Sequence, residues 1–280
     1  MTDDIAAHLR LPAGPVDLTA IETDAAPGFD GGKSDGGTAL AAMGAELADL
    51  QERLWAERTV GSERRVLLVL QGMDTSGKGG TVRHVMSSMN PAWIEVTAFG
   101  TPTEEELSHH YLWRIDQRLP GTGRIAAFDR SHYEDVLVVR VRELVPEHVW
   151  RPRYDEIVAW EEGLVTSGTT IVKCFLHISF DEQRERLLAR LDDPTKRWKF
   201  REGDLEERAR WDDYLAAYDE AIERTSTAAA PWHVIPADRK WYRDHAIASL
   251  LTETLETMDP RYPDTELDVE ALTARLAPPN

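Results

Sequence analysis

An α/β fold, a mostly parallel five-stranded sheet with helices on both faces, is what this sequence predicts. Three observations carry it. Short apolar runs alternate with amphipathic stretches between residues 66 and 250, the pattern of strand–helix–strand units. The first run, VLLVL at Val66–Leu70, leads straight into a glycine-rich turn, QGMDTSGKGG, that opens a helix. A later apolar run ends on an acid followed by a base, Asp129–Arg130.

In chain order, residues 1–37 are polar and close on PGFDGGKSDGG, which reads as a mobile or loosely docked arm. A helix follows, with Leu40, Met43, Leu47, Leu50 and Leu54 on one stripe at spacings of three and four. That stripe suits packing on the body of the domain, and it also offers a subunit contact; a homo-oligomer, dimer or tetramer, is expected. Predicted strands are Val66–Leu70, Ile94–Phe99, Ile125–Phe128, Thr170–Ile178 and His233–Ile235. Predicted helices lie between them at Gly80–Met89, Thr103–Leu119, Arg153–Val165, Phe180–Leu191 and Leu205–Thr225, with a last one from about Trp241. SFDE and DLEE each set a capping residue three before a Glu, so Ser179 and Asp204 are predicted N-caps. The basic stretch between those helices, about 192–204, is a candidate lid. Residues 38–262 then form one domain, and 263–280 a C-terminal tail.

The formal net charge is −18. Binding to nucleic acid or to acidic membranes needs a basic face, so both are excluded as general partners. An anionic substrate is not, because a cleft responds to its local charge. No run is long enough to span a bilayer, and the N-terminus has no signal-peptide pattern. The single cysteine, Cys174, lies in the strand-like TTIVKCFLHI and reads as a buried structural thiol. A cytoplasmic protein is expected.

The turn after the first strand has phosphate-loop spacing: Gly72, four residues, Gly77, Lys78. Glycine lets backbone N–H groups approach oxyanions, and the helix start adds its positive dipole end. The cradle is expected from Gly72, Thr75, Ser76, Gly77, Gly79, Gly80 and Thr81, with Lys78 reaching the phosphates as a point charge. Two features are unusual. Gly79 stands where a Ser or Thr hydroxyl would normally meet magnesium, and Asp74 puts a carboxylate inside an anion site. One change explains both: the metal ligand has moved from the residue after the lysine into the loop, since magnesium takes one or two carboxylates plus phosphate oxygens. Thr81 stands two residues late for the usual hydroxyl role and fits packing in the first helical turn. The second acid is Asp129, at the C-terminal end of its strand. If that strand neighbours the first, strand ends about 5 Å apart let Asp74 and Asp129 share one ion. Arg130 is placed to contact phosphate.

Together GMDTSGKGG, MNP, FDRSHYEDVLVVRV, KRWKF and RWDDYLAAYDEAIERTSTAAAPWHVIPADRKWYR resemble the polyphosphate kinase 2 family over Val66 to Leu250. The SHYEDVLVVRV form looks most like its class III branch, with Glu134 where the diphosphate-restricted branch tends to have Asn. Gly79 and Asp129, in contrast, stand as in the other branches. The resemblance implies a thymidylate-kinase-like phosphate-loop fold with a helical lid. It also implies phosphoryl transfer between inorganic polyphosphate and nucleoside mono- or diphosphates, with magnesium or alternatively manganese. It puts the essential acids on Asp74 and Asp129, the loop lysine on Lys78 and the motif arginine on Arg130. In the lid it favours Arg197 and Lys199 as phosphate contacts over a solvated loop with Trp198 and Phe200 packed inward. Arg83 and Arg140 are further candidates on the polyphosphate path, Arg140 being equally able to pair with a nearby acid; His132, Glu134 and Arg140 are candidates for the nucleotide, with packing an equal reading for His132. Competing readings are an ATP-dependent nucleoside or nucleotide kinase and a nucleotide-binding protein without transferase activity.

Overall fold

The computed structural model describes residues 5–11 and 14–276. Five strands form one parallel sheet: β1 Arg65–Gln71, β2 Ile94–Ala98, β3 Ile125–Asp129, β4 Thr169–His177 and β5 Trp232–Pro236, in the order β2-β3-β1-β4-β5. Each overlaps its predicted run. Central β1 is apolar on both faces, with Val66 to Leu70 fully buried, as a sheet covered on both sides requires. Cys174 is buried in β4, and burial pushes its thiol pKa up.

The main helices are α1 Lys33–Glu57, α2 Lys78–Val85, α3 Arg153–Thr166, α4 Phe180–Asp192, α5 Gly203–Ala209, α6 Trp211–Thr225, α7 Lys240–Met258 and α8 Val269–Leu276. From β1 the chain crosses to β2 on one side; from β3 it crosses back over β1 to β4 on the other. Right-handed crossovers then set α2 and α3 on opposite faces. α1 and α2 pack on α7, while α3 packs on α6 and β4. The reversal makes the C-terminal end of β1 the switch point, where such sheets bind ligands.

Several expectations are corrected. The arm is docked: Ile5, Leu9 and Leu18 are buried, Arg10 bridges to His233 on the edge of β5, and the Tyr242 hydroxyl donates to Pro27 O at 2.7 Å. Its apolar residues are too sparse for a periodic signal, yet they cover a sheet edge that would otherwise be exposed. Residues 1–4 and 12–13 of that arm, and 277–280 of the tail, lie outside the described residues. The α1 stripe packs on the body of the domain, with Leu47, Leu50 and Leu54 in the core and Leu40 and Met43 half-buried against it. The helix expected over 103–119 is two single turns, Glu104–Leu107 and Trp113–Asp116. The Ser108 hydroxyl donates to Glu105 O at 2.7 Å and ends the first, as short polar side chains do when they compete for backbone groups. The helix expected over 205–225 breaks at Arg210. Ser179 caps α4, accepting from Glu182 N at 3.0 Å. Asp204 does not cap; it sits inside the first turn of α5, where its carboxylate accepts from Arg201 N at 3.3 Å.

Candidate active site

Parallel pairing of β1 with β3 sets Leu70 opposite Asp129. The loop after β1 and the acid after β3 therefore start from adjacent strand ends. Arg130 N donates to Leu70 O at 3.0 Å and Phe99 N to Asp129 O at 3.0 Å, which fixes the strand tips. Across this junction the Arg130 guanidinium reaches Asp74 Oδ1 at 2.8 Å. Both Thr75 and Arg130 adopt left-handed backbone, φ 67° and 65°, a conformation that costs a non-glycine residue about 1–3 kcal/mol and concentrates at working sites.

Lys78 opens α2 but folds back: its Nζ donates to Gly72 O at 2.7 Å and to Met73 O at 3.3 Å. Among the described residues, the amide N–H groups of Gly77, Lys78, Gly79 and Gly80 make no hydrogen bond within the protein, leaving donors for an anion at a helix start. Gly77 has φ 106°, a backbone conformation that favours glycine, and a Cβ there would press on the buried Arg243 guanidinium. A Cβ on Gly79 would have Asp129 Oδ2 as its neighbour at 3.5 Å. The position that lost its hydroxyl thus faces the strand-end acid.

Asp74, Lys78, Asp129, Arg130 and Glu134 form one electrostatic cluster. Burial, then the Arg130 charge, pulls the Lys78 pKa below its ordinary value, against Asp129, Asp74 and Glu134. Burial also opposes the charge on Arg130, but Glu134, Asp74 and Asp129 outweigh it and raise its pKa. Burial raises the Glu134 pKa, against Arg130 and the amide of Gln71, which donates to Glu134 Oε1 at 3.1 Å. Asp129 Oδ1 is buried with no hydrogen-bond partner. Among the described residues, no three His, Cys, Asp or Glu side chains form a group able to hold a metal ion.

Other candidates go elsewhere. Thr81 is buried and its hydroxyl donates to Asp244 Oδ1 at 3.3 Å, not toward the loop. His132 is fully buried, 3.2 Å from Glu161 Oε1 and packed on Trp160. It belongs to an internal network with Tyr133 and the Lys173–Glu161 ion pair, which is a packing role. Arg140 is committed to Glu220 at 2.7 Å and lies over Trp150; the nucleotide assignment made for it is not supported. Arg83 is exposed on α2 beside His84. In the lid, Arg197 and Lys199 are exposed on a single turn, Arg197–Lys199. Trp198 is 76% exposed, so it is not packed inward.

Residues that sequence reasoning missed lie behind the loop. The Tyr218 hydroxyl accepts from Gly72 N at 3.2 Å, Gln183 Nε2 donates to Asp74 O, and Arg186 and Arg243 donate to Ser76 O. A concavity of about 430 Å³ between Glu57, Arg64 and Tyr262 holds none of the cluster. It lies by Arg64, at the opposite end of β1, and its location carries no weight against the chemistry.

Residues 32–263 match the family model described as Polyphosphate kinase 2 (PPK2). The chain is 50% identical to an AMP/ADP-polyphosphate phosphotransferase of Meiothermus ruber, over 93% of this chain and 96% of that one. It is 44% identical to an ADP-polyphosphate phosphotransferase of Rhodopseudomonas palustris, over 78% of each chain. The crystal structure of polyphosphate kinase 2 from Arthrobacter aurescens TC1 superposes with a TM-score of 0.95 at 48% identity, covering 98% of this chain and 97% of that one.

Proposed function

The chain belongs to the polyphosphate kinase 2 family, and from that membership we propose that it moves a terminal phosphoryl group between inorganic polyphosphate and nucleoside mono- and diphosphates, AMP and ADP foremost. It is a phosphotransferase with a phosphate-loop α/β fold. The observation that carries the site reading is the buried, unpartnered Asp129 Oδ1 beside a loop whose own acid, Asp74, answers to Arg130.

Magnesium fits this donor set. It prefers oxygen ligands and takes few from the protein; among the described residues no group of three or more His, Cys, Asp or Glu could hold a metal ion, so two carboxylates would leave the remaining positions to phosphate oxygens and water. Asp74 and Asp129 would hold it. When bound, it neutralises phosphate charge as a Lewis acid.

The chain's own groups do the rest. Free N–H groups at the start of α2 receive the phosphates, and Lys78 exchanges its loop carbonyls for phosphate oxygens. Arg130, already held at Asp74, lies beside the transferred group, and Arg197 and Lys199 close from the lid. Phosphoryl transfer is chiefly alignment and charge stabilisation. The acceptor's terminal phosphate is a competent nucleophile, so no general base is needed. No helix of the described residues is long and apolar enough to cross a membrane.

The deciding assay incubates purified protein with magnesium and AMP or ADP, with polyphosphate or ATP as donor, and separates products by chromatography. ADP and ATP forming with polyphosphate is the expected result. Turnover with ATP alone, or none with either donor, overturns the proposal.

A further inference from the structure

In a phosphate loop the amide N–H groups turn toward the anion, so the carbonyls of those residues turn into the protein and must be paired there. Here one helix pairs three in succession. Asp74 O accepts from Gln183 Nε2 at 3.1 Å; Thr75 O and Ser76 O accept from Arg186 Nη1 at 2.9 and 3.0 Å. Gln183 and Arg186 are both buried and sit three apart on α4, on one face.

The guanidinium of Arg186 is fully committed. Its Nη2 donates to Ala237 O at 2.6 Å and Asp238 O at 3.1 Å, just after β5, and its Nε to Glu182 Oε1 at 2.6 Å. A guanidinium has five N–H donors, and each finds an acceptor. The strained residue, Thr75, lies between the two grips. A left-handed threonine persists only where its surroundings hold it. Asp74 is held at both ends, by Gln183 at its carbonyl and by Arg130 at its carboxylate. Beyond Asp192, α4 leads into the lid turn Arg197–Lys199.

We propose that Gln183 and Arg186 are positioning residues of the phosphoryl transfer: the stem of the lid holds the phosphate loop in its anion-binding form and aims the Asp74 carboxylate. Neither touches substrate; both act through the loop. The proposal rests on the transferase reading above.

The test uses the full chain with ADP and polyphosphate. Arg186→Ala leaves a guanidinium-sized space lined by the four carbonyls. Its kcat should fall about 100-fold, as misplaced loop groups cost, with KM for ADP changed less than about threefold. Guanidinium chloride, well below denaturing concentration, should restore at least about tenfold of that kcat, and ammonium chloride at equal ionic strength should not. Gln183→Met keeps the volume, removes only the amide, and should lower kcat about tenfold with a melting temperature near wild type. Should Arg186→Ala fail to fold, Gln183→Met decides alone. Wild-type kcat in folded Gln183→Met, or an Arg186→Ala whose KM rises at unchanged kcat, overturns the proposal. Absence of polyphosphate-dependent turnover in the wild type overturns the proposed function instead.

Discussion

Replacing Asp129 by Asn tests whether two carboxylates serve one ion. The change keeps shape and removes one charge. Asp129 Oδ1 has no hydrogen-bond partner, so no bond is lost, and Lys78 and Arg130 keep Asp74 and Glu134 as neighbours. The stability cost should stay within about 1 kcal/mol, or roughly 2–4 °C in melting temperature for a chain of this size. Asp74→Asn breaks a pair whose side chains are 39% and 27% exposed; solvent screening holds that loss to about 1 kcal/mol as well. Activity should respond on another scale. Each variant removes a charge required in the transition state, about 4 kcal/mol, or ~10³-fold in kcat. If both acids act through one ion, the double variant should lose little more than the worse single one. The measurements are polyphosphate-driven ATP formation by chromatography and thermal unfolding of the three variants. Activity within tenfold of wild type in either single variant, or losses that multiply in the double, would refute the reasoning.

Three further outcomes are expected. Gly79→Ser sets a hydroxyl beside Asp129 Oδ2, where a Cβ already has room at 3.5 Å; unfolding titration should find it about 0.5–1 kcal/mol more stable than a helical glycine. The same hydroxyl would engage the carboxylate proposed to hold the metal, so the magnesium concentration giving half-maximal activity should rise. Leu18→Ala empties a fully buried site in the N-terminal segment and should cost about 3 kcal/mol by denaturant titration, while an undocked arm would lose nothing. Burial holds His233 down to about 4 against an ordinary 6.5, and holds the His132 and His177 pKa values down too. These rings stay neutral when folded and gain protons when unfolded, so stability is full above pH 6.5 and falls as pH drops toward 4. His233 alone accounts for about 3 kcal/mol of that fall, and His233→Gln should flatten the acid limb of melting temperature against pH.

What sequence made legible, and what it did not, divides along a physical line. Strands, loop and strand-end acid announce themselves locally, through an apolar run, glycine spacing and a charge at a strand tip. The supports behind the loop are non-local: Arg186 and Arg243 reach Ser76 from 110 and 167 residues away, and only an accounting of loop carbonyls calls for them. One signal existed. Gln183, Arg186 and Leu187 fall on the buried face of α4, and an arginine at an inward position must find acceptors there. His132 and Arg140 take the plainer of the readings open to them, a packed core histidine and the partner of an acid, Glu220. The single turn His132–Asp135 sends His132 and Tyr133 into the core and leaves Glu134 with the cluster, so adjacency along the chain says little about adjacency to substrate.

The charge set explains why an anion site carries acids at all. Three carboxylates, Asp74, Asp129 and Glu134, stand against two cations, Lys78 and Arg130, so the cluster is at most neutral even with Glu134 protonated. In a chain of net charge −18, these five side chains add no net positive charge to draw in two polyanions, which leaves attraction to the helix start and to the arginines behind the loop. The proposed divalent ion would make the cluster net positive, and the exposed Arg197 and Lys199 of the candidate lid would add to it on closing. A loop built on lysine and hydroxyl alone would attract phosphate without the metal. With Asp74 as the proposed ligand, attraction would strengthen when the cation binds, and so would tie the approach of donor and acceptor to a site competent for transfer.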